Sequence, residues 1–175
     1  IYKIGGIQSI GLMAFGSKTV RPVQKIAGPG NAYVTAAKRQ VYGYVAIDQV
    51  AGPSEIAVLA DDSVKPAWAA ADLLSQAEHG SGHEKALLVT DSQAFAEAVC
   101  DEIAWQTPRL SRAAMVERVI ENDGILLVVV PDLKQGMELV NRFAPEHFEI
   151  MTRDARSFVI DVRAAGAVFV GPWTP

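Results

Sequence analysis

Glu55-Ile-Ala-Val-Leu-Ala60, a helical run over residues 66–78, and Ala86-Leu-Leu-Val-Thr90 read in succession as strand, helix and strand. Pro66 suits the first turn of that helix, where a missing N–H costs nothing. The alternation continues downstream. Helices are predicted over residues 92–105 and 111–122, with Pro108 breaking the chain between them. Residues 125–130 form an unbroken apolar run, the pattern of a strand buried on both faces. A helix over 133–142 leads to a strand at 148–151, a further helix over 155–164 stops at Gly166, and a last strand covers 167–170. Strands alternating with helices predict an α/β fold, Rossmann-like, with a mostly parallel sheet and helices on both faces.

Upstream of Glu55 the texture changes. Residues 3–6 read as a strand end and turn, and residues 8–15 as a short helix closed by Gly16. Lys25-Ile-Ala27 runs into Gly28-Pro-Gly30, and Asn31 then caps a helix that Gly43 stops. Residues 45–47 are a short strand. Short elements crowded by glycine turns give way, near Ser54, to longer and more even units. The expectation is therefore parts of two Rossmann-like domains: residues 1–54 as a partial nucleotide-binding domain and residues 55–175 as part of a second. The first residues read like the middle of a strand and the last stop in a loop, which suggests a piece of a longer chain.

The chain has 175 residues, of which 50% are hydrophobic and 21% charged, with a net charge of −4. These are the proportions of a globular protein. Both signs are interspersed and no basic patch stands out, so nucleic acid is not expected as a partner. No run is long and apolar enough for a bilayer, so no membrane partner is expected either. The single cysteine, Cys100, falls in a helical apolar pattern and reads as a small core residue; with no internal disulfide possible, a reducing, cytoplasmic location is expected.

Three places carry candidate chemistry. Glu146-His147 sets a carboxylate beside an imidazole after a helix stop, at the head of a strand. An imidazole titrates near neutral pH and suits a general base, and the glutamate could activate a water. Adjacent Glu-His pairs are common, however, and on the residues alone two solvated polar groups at a loop end is the slightly favoured reading. Gln76 and His79 stand three apart at a helix end and share one face. They could offer an oxygen and a nitrogen to a metal, but two ligands are too few for zinc. Alone, the pair reads more readily as an ordinary helix end, with His79 as a C-terminal cation. His83, in a Gly-Ser-Gly loop, is a weaker candidate. Gly28-Pro-Gly-Asn31 sets free N–H groups at a helix start, either an anion site or a tight turn. Gln8, after Gly5-Gly6-Ile7, could present an amide to a cofactor or simply begin a helix. Ser54 lacks the setting of a serine nucleophile. Lys38 and Arg39 read as a solvated helix face, and Trp68, Phe95 and Trp105 as core positions.

Taken in order, the segments Gly5-Gly-Ile-Gln8, Lys25-Ile-Ala-Gly-Pro-Gly-Asn31-Ala-Tyr-Val34, Ala37-Lys-Arg-Gln-Val41, Ile47-Asp48, Ala51-Gly-Pro-Ser-Glu55, Asp72-Leu-Leu-Ser-Gln-Ala-Glu-His79, Ala144-Pro-Glu-His147 and Gly171-Pro-Trp-Thr-Pro175 resemble the histidinol dehydrogenase family over nearly the whole chain. Each is weak alone; the ordered set is specific. The resemblance implies zinc-dependent, NAD-linked oxidation of an amino alcohol, L-histidinol, through the aldehyde to L-histidine, with two NAD used in succession in histidine biosynthesis. It implies that His147 takes the hydroxyl proton and Glu146 activates the water that attacks the aldehyde. It further implies zinc ligation by Gln76 and His79, which with Ser54 and His147 lie against the substrate, and NAD contacts from Gln8 and Asn31. Relatives of this kind are homodimers whose partner subunit completes each site. The remaining zinc ligands, an Asp and a His, would lie beyond Pro175, so the isolated piece is expected to be inactive. Gly80 follows His79 where Asp is usual, and Gln49 stands where Met is usual. Two other readings stay open: a dehydrogenase of another small polar alcohol, and a catalytically silent nucleotide-binding fragment.

Overall fold

In a computed structural model of the chain, residues 1–50, 55–79, 82 and 84–173 are described. They divide into two compact units, Ile1–Gly52 and Pro53–Pro175.

The first unit holds α1 (Gly6–Phe15), β1 (Lys25–Ile26), α2 (Ala32–Val41) and β2 (Ala46–Ile47). The expected strand end at residues 3–6 does not form; Gly6, with φ of 66°, already opens α1. β1 and β2 pair in parallel, Lys25 opposite Ala46 and Ile26 opposite Ile47. A small core of Ile10, Ala14, Ile26, Val41 and Val45 joins the helices to the strands.

The second unit holds β3 (Glu55–Ala60), α3 (Pro66–Ala77), β4 (Lys85–Thr90), α4 (Gln93–Gln106), α5 (Ala113–Glu121), β5 (Ile125–Val129), α6 (Leu133–Phe143), β6 (His147–Met151) and β7 (Ala167–Val170). All five strands are parallel, in the order β5-β4-β3-β6-β7. Counted from the unit's first strand this is third, second, first, fourth, fifth, the doubly wound order. β3 is the central strand and the period of two divides its side chains. Ile56, Val58 and Ala60 join the core that holds residues of α3, α4 and α5; Ala57 and Leu59 join the one that holds residues of α6. Gly136 in α6 allows that contact. A Cβ there would come within 2.9 Å of Leu59 Cδ1 and 3.0 Å of Val89 Cγ1. None of the helices among the described residues is long and apolar enough to cross a membrane.

Several local expectations are corrected. β5 is an edge strand, and Leu126 and Val129 stay exposed at 46% and 41% rather than buried on both faces. The helix expected over 155–164 is a 3-10 segment, Ala155–Asp161. The side-chain amide of Asn141 in α6 intervenes there: its Nδ2 donates to Asp161 O at 2.9 Å, and its Oδ1 accepts from the N–H groups of Arg163 and Ala164. Those bonds hold residues 161–164 in a non-helical path. Cys100 is exposed, because the buried stripe of α4 runs through Phe95, Ala96, Val99 and Ile103. Trp105 lies off that stripe too, and the Arg109 guanidinium covers its ring at 3.9 Å.

Two tight joints close the sheet around β6. At the carboxyl ends of β3 and β6, Asp61 accepts from the Arg153 N–H at 2.9 Å, from the Ser63 N–H at 3.0 Å and from the Ser63 hydroxyl. Burial by itself would raise the Asp61 pKa, but these donors outweigh it and hold the carboxyl below its ordinary value. At the other end, Gly166 N–H donates to Pro145 O at 3.0 Å and Ala167 N–H to Glu146 O at 2.8 Å. A Cβ on Gly166 would sit 2.6 Å from Glu146 O.

A carboxyl with a lowered folded pKa contributes stability above the ordinary carboxylate range and loses it as pH falls through the lowered value. Asp61→Asn in the full-length protein should therefore cost about 1 kcal/mol near neutral pH, and the gap to wild type should close in acid. Urea titrations at a series of pH values check this; a gap that widens in acid contradicts it. Gly166→Ala should cost about 1–3 kcal/mol, since backbone rather than a flexible side chain must give way. A neutral effect on the unfolding midpoint contradicts the close approach.

Candidate active site

His147 is the first residue of β6, and its placement is fixed by backbone. α6 ends at Ala144, which adopts the left-handed conformation (φ 56°, ψ 58°) while its N–H donates to Val140 O at 2.8 Å. The turn ends the helix and sends buried Pro145 toward the sheet. β3 then pairs with β6 on one side, Ile56 opposite His147, and β7 on the other, Ala167 opposite His147. β3 feeds α3, which runs back beside the sheet and ends level with the head of β6. There Gln76, 3% exposed, sets its Oε1 3.2 Å from His147 Nδ1. The two groups are 71 residues apart in the chain. The Phe169 ring meets His147 edge-on, with centroids 6.0 Å apart.

This contact fixes the imidazole's chemistry. A carboxamide oxygen only accepts, so with Oε1 toward the ring the Nδ1 carries the hydrogen and Nε2 keeps a lone pair. In the neutral ring the lone pair therefore lies on Nε2, at the amino edge of the sheet. Glu146, next along the chain, has Oε2 out of reach of water with no hydrogen-bond partner among the described residues; Gln76 Nε2 is in the same state. Each such atom costs about 1–3 kcal/mol unless something else bonds it. The Gln76 amide nitrogen, beside the histidine, marks a place that expects a ligand, a water or another part of the protein.

His79, one turn past Gln76, is exposed, and its Nδ1 donates to Ser75 O at 3.1 Å. A backbone carbonyl on one ring nitrogen leaves the other as a lone-pair donor, the usual arrangement of a metal-binding histidine. The carboxamide oxygen of Gln76 has a second lone pair beyond the one facing His147. Both donors lie at the C-terminal end of α3, whose partial negative charge favours a cation. They are donors of the kinds that a metal takes, though two are too few to hold zinc. No cluster of three or more His, Cys, Asp or Glu that could hold a metal occurs among the described residues, so a full ligand set requires residues from elsewhere.

The other sequence-derived candidates fall out differently. Gln8 is exposed on α1 of the first unit. Asn31 caps α2: its Oδ1 accepts from the N–H groups of Tyr33 and Val34, each at 3.1 Å, leaving Nδ2 to donate elsewhere. Ser54, Gly80 and His83 lie outside the described residues.

Two buried groups escaped the sequence reading. Glu149, 4% exposed, shares the sheet face of His147, and the two-residue spacing in His147-Phe-Glu149 carries that signal. Lys38 is not on a solvated face. It is 4% exposed, and its ammonium donates to Gly28 O at 2.9 Å and to the Asp48 carboxylate. Helical periodicity separates it from the exposed Arg39, but no local pattern announces its partner ten residues on.

Comparison with known proteins points to one family. A family model described as histidinol dehydrogenase matches residues 1–175. The chain is 49% identical over 175 residues to the histidinol dehydrogenase of Rhizobium meliloti (strain 1021), covering 100% of this chain and 40% of that protein. It is 48% identical over 171 residues to the one from Geobacillus kaustophilus (strain HTA426), covering 98% of this chain and 40% of that protein. A crystal structure of histidinol dehydrogenase from Elizabethkingia anophelis superimposes with a TM-score of 0.91 at 38% identity, over 98% of this chain and 39% of that one. Gamma-glutamyl phosphate reductase from Thermotoga maritima shares the fold alone, with a TM-score of 0.54 at 13% identity. The chain thus spans about two fifths of the length of these relatives. With the family model matching from first residue to last, this chain belongs to the histidinol dehydrogenase family.

Proposed function

We propose that the full-length protein is a zinc-dependent, NAD-linked dehydrogenase that oxidises an amino alcohol, L-histidinol, through the aldehyde to L-histidine. Family membership supports the reaction class, and the Gln76–His147 contact is the observation that carries the assignment of roles. Residues 1–54 are read as the NAD side and residues 55–175 as the zinc side, in a cytoplasmic homodimer whose partner subunit completes each site. This chain would supply Gln76 and His79 to the metal. Gln8 and Asn31 would bind NAD, and Ser54 the substrate.

His147 acts first as base. Its Nδ1 hydrogen is committed to Gln76, so Nε2 takes the proton from the substrate hydroxyl oxygen while hydride leaves the carbon that bears it. Glu146 acts in the second oxidation: its carboxylate draws a proton from the water that adds to the aldehyde carbon, and the hydrate then gives up a second hydride. When bound, zinc held by Gln76 and His79 would supply a redox-inert Lewis acid that orients the substrate, and NAD would accept each hydride. The packing of β6 between β3 and β7, with the Gln76 contact, holds the His147 ring on a rigid frame, so its orientation is set before substrate arrives.

His147→Ala in the full-length enzyme should lower kcat at least about 100-fold while NAD still raises the melting temperature. Turnover close to wild type would remove His147 from the chemistry, and a wild-type protein with no turnover on any small polar alcohol would favour a silent nucleotide-binding module. His79→Ala should weaken zinc binding by more than about 100-fold, because loss of a partner behind a ligand already costs 10–100-fold. Competition against a chromophoric chelator measures this directly, without any assay of activity. Unchanged affinity would remove His79 from the ligand set.

A further inference from the structure

We propose that Lys38 and Asp48 are positioning residues for the nicotinamide dinucleotide: together they lock both polar groups of Gly28 and so fix the Gly28–Asn31 loop that presents Asn31 to the cofactor. The inference rests on the assignment of Asn31 to NAD made above, and deepens it.

Both backbone polar groups of Gly28 are engaged. Gly28 N–H donates to Asp48 Oδ2 at 2.8 Å, and Gly28 O accepts from Lys38 Nζ at 2.9 Å. Lys38 closes the triangle by pairing with Asp48 Oδ1, which also accepts from the Gln49 N–H at 2.7 Å. Asp48 is itself tied to β1, its N–H donating to Ile26 O at 3.0 Å. Gly28 has φ of 134°, a conformation that side-chain-bearing residues rarely adopt. Gly30 has no room for a Cβ, which would fall 2.4 Å from the Val34 side chain. Asn31 then spends its Oδ1 on the cap. What remains to face a ligand is the Nδ2 donor, and its direction is set by the loop behind it.

A turn between a two-residue strand and a helix does not require a buried ammonium. Burying one in a unit with so small a core is costly unless it is paired and bonded. Here the ammonium holds the peptide that follows Gly28 by its carbonyl, while the carboxylate holds the peptide that precedes Gly28 by its amide. The Asp48 carboxyl is kept far below its ordinary pKa, first by the bond from Lys38 and then by the Gly28 N–H, so the carboxylate side of the clamp stays charged wherever the enzyme would work. A clamp of this kind fixes a donor to the tolerance that orientation-dependent hydride transfer demands.

The test is a double-mutant cycle in the full-length enzyme, with Lys38→Met and Asn31→Ala singly and together. Steady-state kinetics varies NAD and the alcohol separately, and calorimetric titration of NAD, without turnover, must show the same weakening as its KM. Expected is a rise in KM for NAD of about tenfold or more in each single variant, a change in KM for the alcohol below threefold, and no further rise in the double variant. Lys38→Met that lowers the melting temperature yet leaves KM for NAD unchanged makes the lysine merely structural and overturns the proposal. Additive effects on KM for NAD overturn it as well, because Lys38 would then act by a route other than Asn31. If Asn31→Ala leaves KM for NAD unchanged, the cofactor assignment itself is wrong and the proposal falls with it; that outcome differs visibly from a failure at Lys38 alone. Should Lys38→Met not give folded protein, Gly28→Ala replaces it in the same cycle with the same expected pattern.

Discussion

The parallel register between β3 and β6 is the constraint on which the second unit's site depends. With Ile56 opposite His147, the helix that leaves β3 must return to the level at which β6 begins. Gln76 and His147 meet for that reason, although neither has a local reason to find the other. Slipping the pairing by one residue would turn His147 and Glu149 to the opposite face and put Phe148 and Ile150 in their place. The apolar requirement of both cores forbids the slip. Phe148 and Ile150 are fully buried on one side of β6 and Met151 on the other. Packing therefore holds the imidazole in position, and the polar contact is a consequence.

Placing the site at the amino edge of the sheet has an electrostatic meaning. Ligands in open α/β sheets usually sit beyond the carboxyl ends of the strands, where helix N-termini favour anions. In this unit the carboxyl-end crevice between β3 and β6 is taken by the protein's own carboxylate, Asp61, bonded to Arg153 and Ser63. The opposite edge receives the C-terminal end of α3, where a cation is favoured and an imidazole and a carboxamide oxygen are already present. A doubly wound unit used from this side is suited to holding a metal and moving a proton. The glycine turn and helix start of the first unit would suit the phosphate groups of the NAD proposed above.

Much of this could be read from residue order. Strand β3 and strand β7 have the bounds that their apolar runs suggest, and Asn31 caps α2 as its position before a helical run implies. The candidate pair Gln76 and His147 was legible as chemistry, yet on local grounds neither outweighed an ordinary polar residue. The ordered set of motifs raised them, through family resemblance and not through spacing. What failed did so for identifiable reasons. Edge position left β5 half exposed despite its apolar run, and Asn141, reaching across from another helix, prevented a helix after Ala155. Lys38 looked like any surface lysine because the carboxylate and carbonyl that bury it come from other segments.

The sequence by itself determined the kinds of elements, their order and the presence of groups able to move a proton or hold a metal. Those follow from side-chain periodicity and turn chemistry, which act over a few residues. Only the tertiary structure decided which of these groups meet. That His147 shares a hydrogen bond with Gln76, that Asp61 fills the crevice at the far edge, and that Lys38 turns inward to Gly28 all depend on pairings between distant segments. Strand register and shared cores set those pairings, and neither is written in any short stretch of chain.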